Sequence, residues 1–172
     1  MHIDTRSLFR LLLLSGAAWG TGITGAQAGD FLVDGIQTSL NVGTFQYDNV
    51  YVGSTQTGST LTVGSQAVLN STGVGFIGFD TPANRSTISV LGTWNSGGPV
   101  TVGGQASNNR ISIAATGKVT APALALGETS GSLDNTASVS GTLDGQARFR
   151  DQAAVHARGE LAEVHRHAEV VL

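Results

Sequence analysis

Between Val50 and Gln146 apolar and small polar residues alternate in short bursts, and the bursts recur. Val50-Tyr-Val-Gly53, Gly75-Phe-Ile-Gly78, Val100-Thr-Val-Gly103 and Leu124-Ala-Leu-Gly127 each open a copy, with the closing glycines 25, 25 and 24 residues apart. A second burst follows in each copy: Leu61-Thr-Val63, Ile88-Ser-Val90, Ile111-Ser-Ile113 and Ala137-Ser-Val139. A third comes after another glycine, in Gly92-Thr-Trp94, Gly117-Lys-Val119 and Gly141-Thr-Leu143, and Gly64 to Val68 matches these least well. Alternation with period two sends successive side chains to opposite faces of an extended strand, and the bursts are too short for helices. Similarity at a fixed period then stacks the strands of successive copies.

The pattern predicts an all-β chain wound as a right-handed β-solenoid, or parallel β-helix, of about four coils of 24–25 residues plus a partial N-terminal coil. Stacked strands pair at about 4.8 Å, which gives a rod on the order of 20 Å long. Val52, Ile77, Val102 and Leu126 form one expected interior column. Leu61, Ile88, Ile111 and Ala137 form a second. Glycine bounds nearly every burst, as corners with positive φ require. Trp94 takes the slot of Val119 and Leu143 and is assigned to the core.

The domain boundaries follow from where the pattern starts and stops. Met1 to Ala28 has the form of a secretory signal peptide: His2, Arg6 and Arg10 lead, Leu11 to Leu14 form the apolar heart, and Ala26-Gln-Ala28 supplies the small-x-small cleavage site. The mature chain is expected to begin at Gly29, to be secreted or displayed on a bacterial outer surface, and not to span the membrane. Residues 29–49 are assigned to an N-terminal cap or partial coil, because Ser39-Leu-Asn-Val-Gly43 echoes the second burst. Asp30, Asp34 and Asp48 are expected to keep that end polar. Residues 50–146 are the repeats, and 147–172 form an atypical charged tail.

Composition narrows the function classes. Only 12 % of residues are charged and 24 of 172 are glycine, so hydroxyls and amides must solvate the surface of a packed β-structure. A net charge of −3 leaves no electrostatic footprint for nucleic acid. The absence of cysteine excludes disulfide staples and thiol chemistry. The repeats contain no histidine, and Asp80, Glu128, Asp134 and Asp144 fall mostly in corners of different copies, so no carboxylate pair suited to glycoside cleavage is visible. The expectation is therefore no enzyme, no catalytic residue, no cofactor and no metal. His156, His165 and His167 in the tail lack acidic or thiol partners at ligand spacing.

Two surface features could bind something. Tyr51 and Phe76 are predicted to lie side by side on the outside of one face. There they form a glycan or partner patch, or else they lie beneath the N-terminal segment folded over them. Thr62, Ser89, Ser112 and Ser138 make an outward hydroxyl ladder, which is a solvated strand face or a binder of polysaccharide or ice. Asn70-Ser-Thr72 and Asn84-Arg-Ser86 match the glycosylation pattern.

In their rhythm of h-x-h-Gly (h, apolar), Asn-rich corner, h-x-h and Gly-x-h, the copies from Val100 to Ala123 and from Leu124 to Gln146 resemble the repeats of autotransporter passenger domains. They are also similar to repeats of related proteins exported by exopolysaccharide-producing bacteria. The resemblance covers roughly residues 40–146. It implies a structural or adhesive surface module, part of a larger autotransporter-like protein, with surface polysaccharide or another cell-surface protein as partner and end-to-end self-association as a further possibility. The alternative is a carbohydrate-binding or carbohydrate-processing β-helix. After Gln146 the composition shifts: four of the nine basic residues and three of the four histidines fall in the tail. Three accounts stay open for it: a helical cap built on Leu161, Val164 and Ala168; a last irregular coil in which Val155 to Leu161 echoes Ile111 to Val119; and a truncated or frameshifted end.

Overall fold

The computed structural model describes residues 29–149, 154–157 and 161–163. The expected signal segment, with its cleavage site before Gly29, lies outside the described residues, as do Leu161-to-Ala168 periodicity beyond Glu163 and the histidines His165 and His167. The described residues hold fourteen strands and no helix. They wind as a β-solenoid of three faces and about five turns.

The first face stacks β1 (Phe31–Val33), β3 (Val50–Val52), β5 (Gly75–Ile77), β8 (Val100–Val102), the second half of β10 (Lys118–Leu126) and the end of β12 (Thr142–Phe149). The second stacks the first halves of β2 (Gln37–Tyr47) and β4 (Thr60–Ser71) with β6 (Thr87–Val90), β9 (Arg110–Ile113), β11 (Thr136–Val139) and β13 (Ala154–Ala157). The third takes the second halves of β2 and β4, then β7 (Thr93–Ser96), the first halves of β10 and β12, and β14 (Leu161–Glu163). Every pairing is parallel, so each residue's neighbours are its equivalents one coil away.

The N-terminal segment is a complete coil rather than a partial one. Phe31, Leu32 and Val33 pair with Val50, Tyr51 and Val52, and β2 pairs with β4 along both remaining faces. The chain turns from β1 into β2 through Asp34, Gly35 and Ile36 alone, a much tighter corner than the one between β3 and β4. In place of the corner glycine stands Asp34, whose carboxylate takes up the corner above it. Its Oδ1 accepts the backbone N–H groups of Ser54, Thr55 and Gln56 at 2.8–3.0 Å, and its Oδ2 accepts the Thr55 hydroxyl at 2.7 Å. At the other end, Val155 pairs with Ala137 and Leu161 with Leu143, which carries the backbone into a sixth coil.

The two apolar columns read from the sequence stand in register. Val52, Ile77, Val102 and Leu126 are partners in turn, as are Leu61, Ile88, Ile111 and Ala137, and all eight are buried. Trp94 is fully buried in the third-face column between Leu69 and Val119. Its indole N–H donates to the Ser71 hydroxyl at 3.3 Å, and that hydroxyl donates onward to Ser96. An aromatic ring of this size fits because the first-face position opposite is Gly75, where a Cβ would lie 2.5 Å from Trp94 Cζ2.

A polar column runs inside one corner as well. Ser86, Asn109 and Asn135 are buried immediately before β6, β9 and β11. Asn109 Oδ1 accepts the Ser86 N–H at 2.8 Å, and Asn135 Oδ1 accepts the N–H of Asn109 at 2.9 Å. Each member occupies the space where a side chain on the glycine of the previous coil would be: Ser86 above Gly53, Asn109 above Gly78 and Asn135 above Gly103. Those glycines also have φ near +75°, so the corner needs them twice over. Among the described residues every buried side-chain polar atom has a partner.

The Asp34 contacts make the stability of the first coil depend on pH. Partial burial works to raise the Asp34 pKa, but the Thr55 hydroxyl and the N–H groups of Thr55, Gln56 and Ser54 together pull it below its ordinary value of 3.8. A depressed carboxylate stabilises the fold above the unfolded value and stops doing so as pH falls through the folded one. Asp34→Asn is therefore expected to cost about 1 kcal/mol at neutral pH, discounted for solvent screening. The gap in melting temperature between variant and wild type should hold down to pH 5 and close below about 3.8. A gap that is the same at pH 3 and pH 7 assigns the effect to shape rather than charge.

Candidate functional site: the outer faces

Because coils stack in register, side chains that point outward form columns too. On the first face the column reads Leu32, Tyr51, Phe76, Thr101 and Ala125. Tyr51 and Phe76 are direct register partners, half-buried, with nearly parallel rings whose centroids are 5.8 Å apart. Phe79, from the corner after β5, meets both edge-on, with centroids 5.8 Å from Tyr51 and 4.8 Å from Phe76. The result is a three-ring cluster in which the rings spend part of their surface on one another. Phe79 carries no strand periodicity, and its only sequence signal is an aromatic at a corner where the other copies have Ser54, Gly104 and Glu128.

The N-terminal segment does not lie over these rings, because residues 31–47 are engaged as the coil below. Leu32, next in the column, is 53 % exposed. Thr101, next in the other direction, is only 5 % exposed although its register points it outward; nothing in the pairing accounts for that.

The second face is polar. Thr62, Ser89, Ser112 and Ser138 form one unbroken column, with Ser39 below. Beside it run Gln37, Thr60, Thr87, Arg110 and Thr136. The hydroxyls of this face make no side-chain bond within the described residues, whereas corner hydroxyls such as Ser59, Ser107 and Ser132 are bonded to neighbouring turns. On the third face the Asn95 amide donates to Asn70 Oδ1 at 2.9 Å.

Both glycosylation matches are tied into the fold. Asn84 Oδ1 accepts the Ser107 N–H at 2.6 Å while Ser86, the hydroxyl such a match requires, is fully buried. Asn70 belongs to the amide pair just described. The acidic residues are apart: Asp134 sits in a corner at φ 55°, Asp80 follows Phe79, and Asp144 borders an open depression of about 440 Å³ with Ser96, Thr120, Pro122 and Gln146. Among the described residues no three His, Cys, Asp or Glu side chains come together as a metal site. Among the described residues no helix is long and apolar enough to cross a membrane. No protein-family model, curated protein or solved structure matches the chain.

Proposed function

We propose that the chain is a secreted or surface-exposed structural and adhesive module, the β-solenoid portion of a larger autotransporter-like surface protein. The observation that carries this reading is the division of labour in each coil. Inward positions, corner glycines and the Ser86–Asn109–Asn135 column hold the winding, which leaves the outward columns open to any residue that suits a partner. A rod built this way presents long, repetitive, sparsely charged faces, the kind of surface that contacts polymers or other surface proteins many times over. The leader Met1 to Ala28 supports export. Expressed in a bacterial host, the protein is expected to begin at Gly29 by N-terminal sequencing and to be cleaved by protease added to intact cells. Recovery of the full-length chain from the cytoplasm alone sinks the reading.

The three-ring cluster favours a second reading, a carbohydrate-binding β-helix. Aromatic side chains recognise sugar rings through their apolar faces, and Tyr51, Phe76 and Phe79 stand together half-exposed, with the Tyr51 hydroxyl as a polar tip. Tyr51→Ala with Phe76→Ala separates the two. Loss of binding on a glycan array with an unchanged circular dichroism spectrum selects carbohydrate recognition, and unchanged binding to cell-surface material selects adhesion through the hydroxyl faces.

A further inference from the structure

The N-terminal end of the solenoid is an open edge with the form of half a coil junction. Among the described residues β1 pairs only with β3 and β2 only with β4, so no described strand lies beneath the lower side of the eleven-residue β2. In a parallel ladder alternate residues bond to alternate neighbours. The Thr60 N–H donates to Ile36 O, which turns Ile36, Thr38 and Leu40 towards β4 and leaves Gln37 and Ser39 facing outward along the axis. The apolar interior runs to this end as well: Phe31 and Leu40 are the most exposed members of the buried core, and Phe45 and Tyr47 are only partly covered. Leu32, Ile36 and Val42 are 53 %, 45 % and 57 % exposed, so three of the five exposed large apolar side chains among the described residues belong to this one coil.

Two residue types that ordinarily blunt such an edge are missing, although a register shift interrupts the β2–β4 pairing between Leu40 and Val42. Residues 29–49 contain no proline and no lysine. Their three carboxylates are turned to the chain itself: Asp34 to the corner above, Asp30 to the Asn49 amide at 2.7 Å, and Asp48 to the Gly29 N–H at 3.0 Å.

We infer that this edge is a self-assembly interface, and that its occupant is the coil that holds β13 and β14 in a second copy, added in the parallel sense. Each junction inside the chain is a parallel three-face ladder, and β1 and β2 are the lower half of one. The upper half is offered by β13 and β14, which run in the same direction and, among the described residues, each pair on one side only. Stacking copy on copy continues the interface the chain already repeats between its own coils. Two N-terminal ends face to face is the poorer arrangement, because it joins antiparallel strands and brings together two ends that carry Asp30, Asp34 and Asp48 with no Lys or Arg. A head-to-tail contact of this kind does not close, so it generates filaments. The inference does not depend on what the outer faces bind.

Sedimentation velocity and negative-stain microscopy of the purified chain over a range of concentrations test it. Concentration-dependent filaments one solenoid wide are expected. Ser39→Pro removes an N–H that faces away from β4 and has no strand partner among the described residues, and Val42→Lys places a charge on the edge. Each should leave the circular dichroism spectrum and melting temperature of the monomer unchanged and raise the concentration for half-assembly by about tenfold or more. Leu32→Cys, the sole thiol in the variant, distinguishes the geometries. Rapid disulfide dimers report N-terminus meeting N-terminus and overturn the parallel stack, whereas filaments that stay reduced support it. A chain that remains monomeric at every concentration, or assembly indifferent to both edge variants, overturns the interface itself.

Discussion

Val102→Asp is expected to abolish the fold. Val102 is the middle member of the first-face column, between Ile77 and Leu126, and is fully buried. A carboxylate there has apolar neighbours above and below and no donor within the column, so it must either ionise unpaired or take up a proton. Either course adds to the loss of the valine's packing, and unpaired buried charges of this kind cost several kcal/mol. Against a total stability of about 5–15 kcal/mol that is decisive. Circular dichroism should show loss of the β signal, and the protein should sediment as an expanded or aggregated chain. Thr101, one residue away, is no neutral control, because it is 5 % exposed. Ser112→Asp serves instead: it is an outward, half-exposed position between Ser89 and Ser138, and the change there should stay within about 0.5 kcal/mol. Equal melting of the two variants means that the assignment of inside and outside is wrong by one residue.

The contrast between those two positions shows what the sequence could convey. Columns such as Leu61 to Ala137 are legible because alternation fixes the face and the repeat fixes the neighbour, and parallel pairing at constant register does the rest. The adjacency of Tyr51 and Phe76 was readable for the same reason. What escaped has no period. Phe31 to Val33 opens a full coil, but it ends in Asp34 instead of glycine and its corner is shortened, so the spacing that marks the other copies is absent. Phe79 joins the aromatic cluster from a corner, where neither alternation nor repeat constrains direction. Asn109 and Asn135 look like ordinary polar corner residues, and only the fold shows that they are buried and matched to Gly78 and Gly103 one coil below. The third burst of the second coil was misplaced because β4 carries extra residues between Val63 and Val68, which puts Leu69 beneath Trp94.

Gly75 and Trp94 should behave as one unit. In the first-face inner column the residues are Phe31, Val50, Gly75, Val100 and Leu124, so glycine stands where every other coil has an apolar side chain. The third-face column reads Leu69, Trp94, Val119 and Leu143, so the largest side chain falls in the same turn. The volume missing from one face is supplied by the other. Gly75→Val drives a Cβ to 2.5 Å from Trp94 Cζ2 and 2.6 Å from Cη2, and a buried ring between stacked coils has no room to retreat. Overpacking of that kind costs about 1–3 kcal/mol. Trp94→Leu leaves a cavity beside Gly75 and removes the donor to Ser71, at about 3 kcal/mol. The pair Gly75→Val with Trp94→Leu refills the space with the residues that neighbouring coils use. It is therefore expected to melt above either single variant, with a coupling of about 2 kcal/mol in a double-mutant cycle. Thermal unfolding of the four proteins measures this directly, since about 2 kcal/mol corresponds to several degrees in a chain of this size. Additive costs would show that the two positions are independent, and that the glycine at the head of this coil is there for its backbone alone.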